Sequence, residues 1–152
     1  MKPIIECVPN FSEGRDKSII DDILRQIRSV EGISILSVDS GVDTNRTVIT
    51  MVGGIEEVEN AAFICIKRAS ELIDMRSHNG THPRLGATDV CPFIPISDIT
   101  IKECILLSNR VGKRVGEELG IPVYLYEKSA KKKFRQKLPD IRKGEYEGLS
   151  KR

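Results

Sequence analysis

Residues 33–54 read ISILSVDSGVDTNRTVITMVGG, and the way this stretch folds decides the architecture of the chain. Residues 33–38 are mostly aliphatic and stop at Asp39-Ser40-Gly41, and residues 47–52 alternate before closing on Gly53-Gly54. Two runs of this kind, joined by the polar loop Val42-Asp43-Thr44-Asn45-Arg46, predict a hairpin. Upstream, residues 4–8 read as a short buried strand and Pro9-Asn10-Phe11-Ser12-Glu13-Gly14 as the turn after it. Ile19, Ile20, Ile23, Leu24, Ile27 and Val30 then recur at helical steps until Gly32. Downstream of the hairpin, Val58, Ala61, Ala62, Cys65, Ala69, Leu72 and Ile73 form the apolar stripe of a helix over about residues 56–75.

The second half continues the pattern. Residues 90–96 read as a strand whose Pro92 and Pro95 cannot donate to a ladder, which favours an edge or a bulge. Thr100-Ile101-Lys102-Glu103 has the form of a capping box, in which the two side chains satisfy the first free N–H groups of a helix. That helix runs along Cys104, Leu107, Val111 and Val115 to Leu119, with Gly120 and Pro122 beyond it. Residues 123–126 read as a fifth strand, and one more short helix is expected between Ser129 and Pro139. The order is βαββαβ followed by a helix and a strand. It predicts an α/β (α+β) fold of the ferredoxin-like type, a mixed sheet with its helices packed on one face.

Bulk properties narrow the class. The 152 residues fit a single domain. No apolar run approaches the roughly 18 residues of a membrane span, and the first residues do not resemble a secretory leader. The expectation is a cytoplasmic protein that does not engage a membrane. Cys7, Cys65, Cys91 and Cys104 show no C-x-x-C spacing and read as reduced thiols packed as small hydrophobes. The net charge is +2, yet residues 127–152 hold ten of the 24 Lys/Arg and only four of the 22 Asp/Glu. With no recognised RNA-binding signature, this basic tail reads as a solvated segment rather than a nucleic-acid surface.

Both histidines stand close together in His78-Asn79-Gly80-Thr81-His82. On a helix this spacing would turn both rings to one metal, but Gly80 disfavours the helix and Pro83 biases His82 toward an extended conformation. The Glu of H-E-x-x-H is missing as well, and no metal site is expected. Either imidazole could serve as a general base near neutral pH, or simply brace the loop by hydrogen bonds. Arg46, Arg76 and Arg84 could grip carboxylates or act as bracing charges. Cys91 acting as a nucleophile with His82 as its base is a further alternative.

The residues Asp74-Met75, His78-x-Gly80-x-His82-Pro83-Arg84-x-Gly86-Ala87-x-Asp89 and the run from Val90 to Pro95 resemble the signature of the glutamate formimidoyltransferase family. The resemblance extends to residues 6–14, Thr44-Asn45-Arg46-Thr47-Val48, residues 122–126 and residues 144–149, in the same order and over essentially the whole chain. It implies transfer of the formimino group of N-formimino-L-glutamate to tetrahydrofolate, a co-substrate, in histidine breakdown, with His82 as the catalytic histidine. We add Asp39 or Asp89 as the carboxylate that positions the cationic formimino group. Arg46, Arg76 and Arg84 are added as partners of the glutamate or folate carboxylates. The family has a second, related subdomain with folate held between the two, and this chain ends before it. The resemblance therefore implies a need for a separate C-terminal subdomain, or a homodimer that covers the open face. A folate- or metabolite-binding module without turnover, or an inert isolated subdomain, is the alternative.

Overall fold

A computed structural model describes residues 2–152. The chain opens with β1 (Ile4–Cys7) and β2 (Asn10–Phe11), two pieces of one bent strand divided at Pro9. Helix α1 (Lys17–Arg28) follows, its first N–H groups met by the Asp16 side chain. Ile20, Ile23, Leu24 and Ile27 point inward from α1, each burial stabilising by roughly 1.5–3 kcal/mol. The quoted stretch forms the expected hairpin of β3 (Ser34–Gly41) and β4 (Arg46–Gly53), in register from Ser34 opposite Val52 to Gly41 opposite Arg46. Helix α2 (Ile55–Leu72) crosses the sheet, and β5 (Thr88–Val90) and β6 (Phe93–Ser97) form a second broken strand, interrupted at Cys91-Pro92.

Helix α3 (Ile101–Leu119) starts at a complete capping box of Thr100 and Glu103 and stops at Gly120, which adopts the left-handed conformation. After it come short 3-10 turns at Glu127–Ser129 and Lys133–Arg135, α4 (Leu138–Arg142) and a last turn at Tyr146–Lys151.

The sheet runs β5-β2-β4-β1-β6 with β3 on β4, and every pairing is antiparallel. Register shifts where β1 meets β6, β2 meets β5 and β3 meets β4 bend the strands and curl the sheet. This corrects the expectation of a mixed, ferredoxin-like sheet lengthened by a further strand. No paired strands are parallel, Pro9 and Pro92 each break a strand in two, and residues 123–126 form no strand. The last difference has a local cause: β6, the edge that another strand would join, contains Pro95 and follows Pro92, neither of which has an N–H to offer.

Helix α2 lies between α1 and α3, and the three close over Ile5, Cys7, Ile49 and Met51 of the sheet. The alternate positions of the same strands face the other way. There Ile4, Ile94 and Ile96 are exposed, the last by 54%, and Leu36 in the β3 bulge is exposed by 61%. No helix among the described residues is long and apolar enough to cross a membrane. The four cysteines are free thiols.

Candidate active-site loop

The connection from α2 to β5, residues 73–87, carries both histidines and lies across the β3–β4 turn. The contact is close. A Cβ on Gly80 would run into the Thr44 carbonyl carbon at 2.8 Å and Asn45 Cβ at 3.0 Å, so only glycine lets the two backbones meet. Thr81 N–H donates to the Asp43 carbonyl at 3.0 Å. Asn45 joins three segments: its Oδ1 accepts from Gly14 N–H at 2.9 Å, its Nδ2 donates to the Asn79 carbonyl at 2.9 Å, and its own carbonyl accepts from His78 Nε2 at 3.0 Å. It holds a positive φ of 50°, a conformation that Asn tolerates better than most residues.

His78 is fixed from both sides. Arg84 Nε–H can only donate, so His78 Nδ1, 3.0 Å away, accepts, and Nε2 carries the proton given to Asn45. Arg84 is itself buried with every N–H committed. Its terminal nitrogens reach both oxygens of Glu147, at 2.9 and 2.7 Å, together with Glu145 at 3.2 Å and the His78 carbonyl at 3.1 Å. Arg84 holds the Glu147 carboxyl down at about 2, and hydrogen bonds to Glu147 raise the Arg84 guanidinium in turn. Tyr146 N–H on the Arg84 carbonyl, at 3.1 Å, completes a hook from the C-terminal segment. Glu145, at φ 53° after Gly144, turns the chain into it.

A second brace lies at the end of the loop. The Asp89 side chain is fully buried and accepts from Leu85 N–H at 2.5 Å, Arg46 at 2.8 Å and Arg142 at 2.5 Å. Arg46, also buried, donates from Nε to Asn10 Oδ1 at 3.2 Å. One carboxylate thus ties β5, the start of β4 and α4 together.

His82 differs from all of these. Its Nδ1 lies 2.6 Å from the Pro83 carbonyl, which can only accept, so Nδ1 carries the proton and Nε2 is left as the basic nitrogen. No partner for Nε2 occurs among the described residues, and the ring is only half-buried. Arg76 is exposed and folds back onto Asp74 through two contacts of 2.9 Å, which lower the Asp74 carboxyl and raise the Arg76 guanidinium. Asp39 stands exposed on β3, opposite Val48, outside both braces. Cys91 Sγ lies 3.6 Å from Cys7 Sγ and makes no hydrogen bond to His82.

The six residues singled out in the sequence therefore divide. Arg84 is joined to the histidine loop by His78, Arg46 and Asp89 meet in the second brace, and His82, Arg76 and Asp39 remain accessible. Asn45, Arg142, Glu145 and Glu147 were missed. For the two glutamates a signal was available, two carboxylates spaced by one residue inside a basic tail, after a glycine. Among the described residues no cluster of three or more His, Cys, Asp or Glu is placed to hold a metal ion.

Fold and site together define an α+β domain that presents one imidazole, aimed by its own backbone, from a loop tied down at both ends. Residues 4–152 match the family described as formiminotransferase domain, N-terminal subdomain, and the chain belongs to that family. It is 51% identical to the formimidoyltransferase-cyclodeaminase of Dictyostelium discoideum over 98% of this chain and 28% of that protein. It is 49% identical to the glutamate formimidoyltransferase of Streptococcus pyogenes serotype M1 over 98% of this chain and 50% of that protein. For the glutamate formimidoyltransferase of Thermoplasma acidophilum the figures are 50% identity, 91% and 46%. The chain spans at most about half the length of these relatives.

Proposed function

We propose that this chain supplies the histidine-bearing half of a glutamate formimidoyltransferase site, in which His82 is the acid–base residue. The observation that carries this reading is the His82 ring: Nδ1 occupied by the Pro83 carbonyl, Nε2 open. As N5 of tetrahydrofolate bonds to the amidine carbon of N-formimino-L-glutamate, it must lose a proton, and Nε2 takes it. The same imidazolium then protonates the departing glutamate nitrogen as its bond to that carbon breaks. Proton transfer of this kind contributes ~10²–10⁴-fold. Tetrahydrofolate is a substrate here, and no step calls for a metal.

Accessibility sorts the remaining roles. Asp39 is the exposed carboxylate able to meet the cationic formimino group, whereas Asp89 is enclosed between two arginines. Arg76 can exchange Asp74 for a substrate carboxylate because that pair is solvent-exposed and therefore weak. Arg84 and Arg46 act as braces.

The exposed apolar positions of the sheet, with the extra length of the relatives, support a site completed by a second subdomain or by a second copy of this chain. Sedimentation of the purified chain separates the two: a concentration-dependent dimer supports the second copy, and a monomer supports the subdomain. Four free cysteines fit the reducing cytoplasm.

The decisive experiment supplies the chain with the C-terminal half of a relative and follows formimino transfer from formiminoglutamate to tetrahydrofolate. Turnover that appears only with both parts supports the proposal. Folate binding without turnover would make the chain a binding module, and neither would overturn the reading.

A further inference from the structure

Away from the histidine ring, between α3, the β5–β6 strand and the C-terminal segment, lies a cavity of about 680 Å³. That is the size range of sites for small organic molecules, and it equals roughly twenty waters at ~30 Å³ each. Its helix wall is apolar, with Val111 and Val115 from successive turns of α3. Its opposite wall is residues 121–126, which have the composition of a buried strand but pair with no strand, and not one of them is fully buried. This wall leans on α3 at Gly112, where a Cβ would stand 3.2 Å from Val123, and is pinned at its end by the Ser108–Ser129 hydroxyl pair at 2.7 Å. Apolar surface has been gathered here without being packed, although protein interiors otherwise fill to crystal-like density.

We infer that this cavity is a binding site for an uncharged, predominantly apolar small molecule, distinct from the His82 ring although residues 73–76 and 85–87 of the histidine loop form part of its wall, and independent of the formimino-transfer reading. The charge distribution sets the class of ligand. The two guanidinium groups in the wall each face a carboxylate, Arg142 the buried Asp89 and Arg76 the exposed Asp74, and Arg142 Nε is buried without a partner. Glu127 and Lys128 are of opposite sign and exposed at the rim. The linked Ser108 and Ser129 hydroxyls, with Thr88 Oγ1 and Arg142 Nε, which are buried without partners, offer a few polar contacts, which suits a ligand with one or two hydroxyl or carbonyl groups. The Tyr126 phenol, pushed up to about 12 chiefly by burial, reports how dry the surroundings are.

The test titrates the whole chain with N-phenyl-1-naphthylamine, an uncharged apolar fluorophore, and maps the contacts by methyl NMR. Expected are saturable one-to-one binding and shifts at Val111, Val115 and Val123. Ile105→Trp, which fills the cavity from α3, should weaken binding at least tenfold, and folinate should not displace the probe. Shifts confined to Leu36 and Ile96 would place the probe on the open sheet face and overturn the inference, as would the absence of saturable binding. Displacement by folinate would merge the cavity with the folate site and overturn its separateness. The methyl map stands even if Ile105→Trp fails to fold.

Discussion

Replacing Asp89 by asparagine removes one charge and keeps the shape, and the surroundings make the cost calculable. Oδ1 accepts the Leu85 N–H at 2.5 Å, and Oδ2 accepts Arg46 at 2.8 Å and Arg142 at 2.5 Å. An amide has one oxygen and one NH₂, so in either orientation a donor faces a donor: Leu85 in one, both guanidinium groups in the other. The Asp89 side chain is fully buried and Arg46 is 8% exposed, so the orphaned charge stays out of water. Breaking a buried pair by removing one partner costs ~3–5 kcal/mol. At about 2–4 °C per kcal/mol for a domain of this size, the melting temperature should fall by roughly 10 °C. Urea unfolding followed by circular dichroism measures this. Adding Arg142→Met to Asp89→Asn should then recover part of the loss, because it removes one of the two unpaired cations. A loss below about 1 kcal/mol in the single Asp89→Asn variant would refute the claim that this carboxylate ties three elements together.

Three smaller changes probe the neighbouring contacts. Gly80→Ala forces a methyl group against the Thr44 backbone and should destabilise by ~1–3 kcal/mol, with faster proteolysis in residues 76–84; a neutral result in urea would remove the close approach from the account. Thr100→Ala opens the capping box of α3 and should cost ~1 kcal/mol in the same assay, with Thr100→Ser close to the parent. Glu147 is held at about 2 by Arg84, below an unfolded carboxylate near 4.5, so its contribution is complete above that value and disappears as the pH falls toward 2. Thermal melts should show the parent more stable than Glu147→Gln at pH 6 and the gap closing across pH 4.5–2; a constant gap would break the link to this ion pair.

The helices were legible because their signals are local. Thr100-Ile101-Lys102-Glu103 and Gly120 bracket α3 as read, and the stripe from Ile20 to Ile27 forms the buried face of α1. The hairpin was legible for the same reason. Strand continuity was not, since it depends on which edge has N–H groups to offer. The alternation in residues 123–126 is a strand pattern that finds no partner beside Pro95, Pro92 splits the strand read over residues 90–96, and Asn10–Phe11, read as part of the turn after Pro9, pair as a strand. In the site, His82 stood out by its motif, whereas the roles of the arginines depended on contacts across about 60 residues that spacing cannot reveal. Arg84 meets Glu145 and Glu147, and Arg142 meets Asp89, so residues that read as substrate grips prove to be engaged. Asn45 was within the quoted hairpin loop, but its function as a junction depends on the approach of a loop 34 residues away.

The most direct test compares His82→Ala with His78→Gln in the assembled two-part enzyme, following transfer from formiminoglutamate to tetrahydrofolate across pH. With His82 as the proton carrier, His82→Ala lowers kcat by ~10²–10⁴ and removes the pH dependence that a general base gives the rate, while its unfolding midpoint stays at the parent value. His78→Gln should lower that midpoint and leave the pH dependence in place, because His78 works through the Arg84 and Asn45 contacts. If His82→Ala turns over within about tenfold of the parent with an unchanged pH profile, the proton passes through another group and the central assignment is wrong.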